Sequence, residues 1–370
     1  MIKIPLSQPD ITQTEIDLIN QVLATPYLSM GPMIERFEEA MARYLGSPHA
    51  VAVSSGTAGL HLAIIAAGIG EGDEVITTPF SFVASANCIL YERARPIFVD
   101  VELQTMGLDP ERVEAAITPR TRAILPVHVF GQPCLIADLT DIARRHDLFL
   151  IEDACEAIGA KFDGQAVGNF GDCAVFAFYP NKQMTTGEGG IIVTSREDWA
   201  RIFRSLRNQG RDDDGSLPRH IRLGYNYRLD ELSAALGLAQ VERLEELLSK
   251  RQRVAEWYTA RLRGMIHVEV PSVAPRTTRM SWFVYVVRLA PTVDRDAVMH
   301  ALQVRGVPSR PYFTPIHLQP FYRQRFGYRE GDFPVSEAVA RRTLALPFSG
   351  VMTEEQVNYV CQALEEAIKA

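Results

Sequence analysis

Up to about residue 195, short and almost uninterrupted apolar runs alternate with stretches whose apolar positions recur at helical spacing. The runs Val75-Ile76-Thr77, Ile97-Phe98-Val99, Ala123-Ile124-Leu125, Phe149-Leu150-Ile151, Ala174 to Phe178 and Ile191-Ile192-Val193 are predicted strands. None has a polar alternate face, so helices are expected to cover both sides of the sheet they form. Between them lie helical segments with start signals. Asp109-Pro110 puts a cap residue and a first-turn proline ahead of a helix predicted over Glu111 to Ile117. The alternation predicts a three-layer α/β domain with a mostly parallel sheet.

After Arg196 the pattern changes. Arg211-Asp212-Asp213-Asp214-Gly215 reads as a solvated loop rather than a metal site, and one long helix is predicted from Leu229 to about Leu262. A strand is expected over Trp282 to Leu289, with helices over Arg295 to Arg305 and Thr353 to Lys369. The last opens on the capping-box pattern Thr353-x-x-Gln356. The long helix is where a link to a second, smaller domain is expected.

Composition narrows the picture. The 370 residues are 47% hydrophobic and 22% charged, which suits a globular protein with a large core, and their length suits two domains. A formal charge of -7 gives no electrostatic reason to expect a nucleic-acid partner. Five scattered cysteines without a C-x-x-C pair favour reduced thiols over disulfides or a zinc site. No apolar run approaches the roughly 18 residues that cross a bilayer, and no signal-peptide pattern is seen, so a cytoplasmic location is expected.

Four local features carry candidate chemistry. Ser54-Ser55-Gly56-Thr57-Ala58-Gly59-Leu60 opens a helical run with small residues, leaving backbone N–H groups free for a phosphate or for an ordinary cap. Glu152-Asp153 follows a predicted strand, where ligands of open α/β sheets sit; a carboxylate there can pair with a protonated ring nitrogen or cap a helix. Glu156 lies three residues on. Lys182 comes just past an apolar strand and before Gly187-Glu188-Gly189-Gly190, an unusual setting in which burial would free its amine for Schiff-base chemistry. Gly224-Tyr225-Asn226-Tyr227-Arg228 precedes the long helix, where Asn226 and Arg228 could serve an anion or the tyrosines could simply pack.

In this order the features resemble the DegT/DnrJ/StrS family of sugar aminotransferases, of the aspartate-aminotransferase fold group. The likeness runs nearly end to end, through Gly31-Pro32, Ser55-Gly56-Thr57, Gly72-Asp73-Glu74, Pro79-Phe80-Ser81-Phe82, Val127-His128, Glu152-Asp153-Ala154, Pro180-Asn181-Lys182, Leu206-Arg207-Asn208 and Pro315-Ile316-His317. It implies a fold type I large domain over residues 1–245, with a mostly parallel mixed sheet. A smaller α+β domain follows over 246–370, with the N-terminal segment a candidate to pack on it. It also implies the cofactor pyridoxal 5'-phosphate. Lys182 would hold it as a Schiff base and Asp153 would pair with its ring nitrogen. Phe82 would stack on the ring, and Glu156 would lie near the ring hydroxyl, where glutamine is frequent. Gly56, Thr57 and Ala58 would hold the phosphate, with Asn226 reaching it from a neighbouring subunit, so a homodimer with shared sites is implied. Gly31, Arg228 and His317 would face substrate.

Two departures stand out. The serine that usually bonds the phosphate five residues before the lysine is Ala177 here, with Asn181 a candidate replacement. Gln209 stands where histidine is frequent. The implied reaction moves an amino group from L-glutamate to a nucleotide-linked keto sugar. Gly187-Glu188-Gly189-Gly190 leans toward 4-keto-6-deoxy sugars, with a 3-keto sugar as the alternative. A sugar dehydratase would carry histidine in place of Lys182. A cysteine desulfurase would need a mobile cysteine where Cys173 is expected in the core. A non-catalytic regulator on the same scaffold would leave the Lys182–Asp153 pair unexplained.

Overall fold

A computed structural model describes residues 4–212 and 219–369; Asp213, Asp214 and Gly215 of the expected acidic loop lie outside the described residues. Seven strands form the main sheet: β1 (His49–Val53), β2 (Glu74–Thr77), β3 (Arg95–Phe98), β4 (Thr121–Leu125), β5 (Phe149–Asp153), β6 (Cys173–Ala177) and β7 (Gly190–Thr194). Their order is β1-β7-β6-β5-β4-β2-β3. The five strands from β6 to β3 pair in parallel, and β7 runs antiparallel to both of its neighbours. The sheet is therefore mixed and mostly parallel, as expected.

Alternate residues of one strand enter different cores, which is why the strands read as continuous apolar runs. In β6, Cys173 and Val175 pack with Leu60 and Leu62 on one face. Ala174 and Phe176 pack with Phe37 and Leu238 on the other. The covering helices are Gly56–Ala66 on the first face and Pro32–Leu45 with Glu231–Glu242 on the second. Strand β1 was not predicted; it is buried at four of its five positions and runs on into the cap of the helix that follows it.

The predicted helix from Leu229 to Leu262 is two helices, Glu231–Glu242 and Leu244–Leu262, broken at Arg243 (φ -104, ψ 7). Arg243 is tied at the break to Asp10, Glu15 and Glu246. Leu244, Leu247 and Leu248 of the second helix belong to the core of the large sheet. Val254, Ala255, Tyr258 and Leu262 belong to a separate core with Ile4 and the C-terminal helix. A three-stranded antiparallel sheet of Val268–Glu269, Tyr285–Leu289 and Thr343–Leu346 supports that second core. The predicted strand over Trp282 starts late, at Tyr285, because Trp282 sits in the left-handed region (φ 51) and cannot continue a pleated strand. The expected capping box forms: Thr353 N–H donates to Gln356 Oε1 at 3.0 Å, and Gln356 N–H to Thr353 Oγ1 at 3.2 Å. Among the described residues no helix is long and apolar enough to cross a membrane. All five cysteines are free.

One carboxylate ties the N-terminal helices to the body. Glu231, 1% exposed, accepts N–H bonds from Gly31 (3.0 Å), Met33 (2.8 Å) and Ile34 (3.2 Å). It thereby satisfies the free donors of a helix start 200 residues away in sequence. A Cβ on Gly31 would lie 2.7 Å from the same carboxylate, so only glycine fits. Glu231→Ala is expected to lower stability by at least about 2 kcal/mol, since it leaves buried donors unpaired. Urea unfolding of the cofactor-free protein would test this, and a loss under about 0.5 kcal/mol would contradict it.

Candidate active site

The carboxyl ends of β5 and β6 and the start of the helix Gly56–Ala66 open into one cleft of about 1140 Å³. Asp153 ends β5, and its backbone pairs with Val175 of β6. Its side chain is 5% exposed and held from two sides. Ser85 donates to Oδ2 at 2.6 Å, and the Cys155 N–H donates to Oδ1 at 3.2 Å. Ser81 lies 2.8 Å from Ser85, so a short hydroxyl chain orients the carboxylate. Sequence reading did not find this chain, although Ser81 and Ser85 stand four apart across the start of a helix.

Lys182 enters from the loop after β6. Its Nζ sits 3.6 Å from Glu156 Oε1 and 3.9 Å from the centre of the Phe283 ring. The amine thus rests between a carboxyl and an aromatic face, a favourable setting for a cation. Glu156 Oε2 also accepts the Phe130 N–H at 2.9 Å. Burial pushes the Glu156 carboxyl above its ordinary value, and Lys182 with the Phe130 N–H only partly offsets this. Cys155 is likewise held as the neutral thiol, by burial and by the nearby Asp153. Phe283 was not singled out in the sequence because it fell inside the strand predicted from Trp282 and looked like core.

Ser55 caps the helix Gly56–Ala66 by accepting the Ala58 N–H at 3.0 Å, and Ser55, Gly56 and Thr57 line the cleft. A Cβ on Gly56 would lie 2.7 Å from the Ala177 Cβ and 2.8 Å from Cys155 Sγ. The close approach that only glycine permits shapes a backbone cradle at a helix N-terminus, suited to a phosphate. Ala177 lines the same wall, and Asn181 lines it with a buried Oδ1 that has no hydrogen-bond partner. An aldehyde-bearing pyridine with a phosphate arm fits these groups: an amine, a carboxylate and an anion cradle. Phe82, 62% exposed, lines the cleft with its ring available for stacking.

Other expected residues lie elsewhere. Ala58 is buried beneath the cradle, outside the cleft lining. Asn226 is exposed, with its backbone bridged to Asn208, and it does not line this chain's cleft. Tyr225 and Tyr227 stack on each other at 5.0 Å, and both pack on His61, which accounts for their pattern by packing. Arg228 donates to Asn208 at 3.0 Å, and the Gly31 N–H is taken by Glu231. His317 is fully buried, 3.0 Å from Glu337; its neighbour Ile316 is the residue that lines the cleft.

The Glu156 shift has a sign that can be checked. A carboxyl that titrates higher when folded holds more protons in the folded state, so its contribution to stability falls as pH rises above about 4.5. Glu156→Gln removes that contribution. The stability of the cofactor-free protein is expected to drop less between about pH 5 and about pH 8 in the variant than in the wild type. Urea unfolding at both pH values measures it, and equal drops would contradict the assignment.

The sequence profile of the DegT/DnrJ/EryC1/StrS aminotransferase family matches residues 9–365. A protein of Caulobacter vibrioides named GDP-perosamine synthase is 41% identical over 370 residues, covering 99% of this chain and 98% of its own. The structure of S. venezuelae DesV in complex with a ketimine intermediate superposes with a TM-score of 0.93 at 34% identity, over the whole of both chains. That of the sugar aminotransferase Spr1654 from Streptococcus pneumoniae, described as putative and in its PMP form, gives 0.95 at 25% identity over 99% of each. With its lysine, carboxylate and phosphate cradle gathered in one cleft, the chain belongs to the DegT/DnrJ/EryC1/StrS aminotransferase family and is a pyridoxal-phosphate-dependent aminotransferase.

Proposed function

We propose that this enzyme moves an amino group from L-glutamate to a nucleotide-linked 4-keto-6-deoxy sugar, in the making of an amino sugar for polysaccharide. The observation that carries the reading is Lys182, its Nζ set among Glu156, Phe283 and the Asp153 wall of a cleft of about 1140 Å³. That space extends past the phosphate cradle to Asn87, Tyr91, Phe321 and Arg325, and it leaves room for a substrate much larger than glutamate. The relative named GDP-perosamine synthase supports a nucleotide-linked sugar, and Gly187-Glu188-Gly189-Gly190 supports amination at C4.

When bound, pyridoxal phosphate supplies an electron sink that stabilises negative charge on the carbon next to the transferred nitrogen. The chain's own residues do the rest. Asp153, fixed by Ser85, would hold a proton on the ring nitrogen by charge pairing. Lys182 would anchor the cofactor and hold or release a proton at Nζ during the transfer. Glu156 and Phe283 would steady that amine. Phe82, exposed in the cleft, would stack on the ring. Phe283, Tyr312 and Phe313 line the cleft with apolar surface that keeps water from the reacting carbons. Gly56 and Thr57 would hold the phosphate through backbone N–H groups, with Asn181 on the same wall in the part that serine usually plays.

We further propose a homodimer in which Asn226, exposed and outside its own cleft, reaches the phosphate bound by the neighbouring copy. Arg228 and the stretch around Gly31 would lie at the same junction. His317, packed on Glu337, would act on substrate through the position of Ile316 rather than by direct contact.

Two measurements test the reading. The purified protein is expected to be yellow, to bleach with L-glutamate and to regain colour on adding a nucleotide-linked 4-keto-6-deoxy sugar, with the new amine at C4 by NMR of the product. Lys182→Ala should lower turnover by roughly 10²–10⁴-fold. Full activity in that variant, or amination at C3, would overturn the corresponding part. For the shared site, mixing Lys182→Ala with Asn226→Ala subunits should restore a fraction of activity neither has alone. No recovery in confirmed hybrids would refute the contact between subunits.

A further inference from the structure

Arg251 is 3% exposed and buried between the two cores, on the helix Leu244–Leu262. No carboxylate pairs with it among the described residues. Its guanidinium instead donates to four main-chain carbonyls from two distant segments. Nη2 reaches Lys182 O at 2.6 Å and Asn181 O at 3.4 Å, and Nη1 reaches Phe283 O at 3.0 Å and Trp282 O at 3.2 Å. The two segments are the ones whose side chains meet in the cleft, Lys182 Nζ lying 3.9 Å from the Phe283 ring. The geometry points to Arg251 as a positioning residue that fixes the main chain of Lys182 and of Phe283 relative to each other, and so sets where the lysine amine stands when it takes up the cofactor.

Several observations converge on this role. A guanidinium set among carbonyls, with the Phe348 ring 5.6 Å away, loses its hydration without gaining an opposite charge, and burial lowers its pKa to about 10. A residue kept only for packing would need no charge there. The planar fork is what spans four acceptors; a lysine in the same place is a point donor and holds fewer of them. The segment it grips on the Phe283 side contains Trp282, in the left-handed region at φ 51, a conformation that costs energy and persists only where its surroundings hold it. On the other side it grips the loop between β6 and β7, where the carbonyls of Asn181 and Lys182 lie outside any helix or strand. Gln183 adds a parallel tie, donating to Glu156 O at 2.6 Å and to Ser281 Oγ at 2.9 Å. Lysine, carboxyl and ring are thus set by hydrogen bonds to the main chain beneath them.

This inference rests on the reading of Lys182 as the cofactor's anchor. Capture joins the lysine nitrogen to the aldehyde carbon as a C=N bond. One water leaves, its oxygen from the aldehyde and its two hydrogens from the neutral amine. The test uses the full-length chain stripped of cofactor as wild type, Arg251→Met and Arg251→Lys. Each is mixed with increasing pyridoxal phosphate while the absorbance change is followed. The concentration dependence separates the encounter Kd, set by the phosphate cradle, from the saturating capture rate, set by the lysine. Arg251→Met is expected to lower that rate at least about tenfold with Kd within about twofold, since small misplacements of a reacting group carry large rate costs. Arg251→Lys should recover part of the rate. Capture at the wild-type rate by folded Arg251→Met overturns the proposal. So does a loss in which Kd and rate worsen together with the melting temperature, the mark of a merely structural role. If Arg251→Met does not fold, Arg251→Lys decides. A slower capture with Kd within about twofold supports the proposal, and a wild-type rate overturns it. Borohydride reduction and peptide mapping locate the attachment, so cofactor found on another lysine sinks the Lys182 reading separately from the rate result.

Discussion

Everything at this site depends on the pairing register of β5 and β6. Asp153 lies opposite Val175, so the carboxylate ends its strand beside the chain that goes on, seven residues later, to Lys182. Side chains alternate faces along a strand, and a slip of one residue would turn Asp153 away from the cleft and Cys173 and Val175 out of their core. The apolar interior therefore specifies the chemistry. Val175 and Ala174 are buried on opposite faces, which leaves a single pairing that satisfies both cores. The hydroxyls of Ser81 and Ser85 then set the angle of a carboxylate whose position is already given.

The legibility of the site follows from the sequence distance over which each contact is made. Lys182, Asp153 and Gly56 stood out in the sequence, because each lies near a strand end or at a helix start that announces itself locally. The partners that tune them could not. Phe283 meets Lys182 across about a hundred residues, and Arg251 reaches the lysine's carbonyl across 69. Nothing in the neighbourhood of either residue distinguishes it from ordinary core or an ordinary helix charge. Gly31 was expected to face substrate; in the fold its N–H is taken by the buried Glu231 carboxylate, a partner 200 residues away that no local pattern announces.

The fold shows the same division. Six of the seven large-sheet strands were legible in type and place because burial on both faces leaves a strong signal; β1 was not. The split of the long helix at Arg243 was not, since the apolar spacing runs on through the break and only the ion pairs to Asp10, Glu15 and Glu246 mark it. The two-residue strand Val268–Glu269 carries too few positions to show any period.

The helix Leu244–Leu262 roots its first turns in one core and its last in the other, with no flexible linker between them. A protein joined in this way is not built of exchangeable modules. Grafting the C-terminal unit of one relative onto the N-terminal unit of another at any point along that helix would mismatch one interior or the other. Recombination within the family, natural or engineered, should therefore keep that helix with both interiors it enters and with the Trp282 and Phe283 main chain it grips.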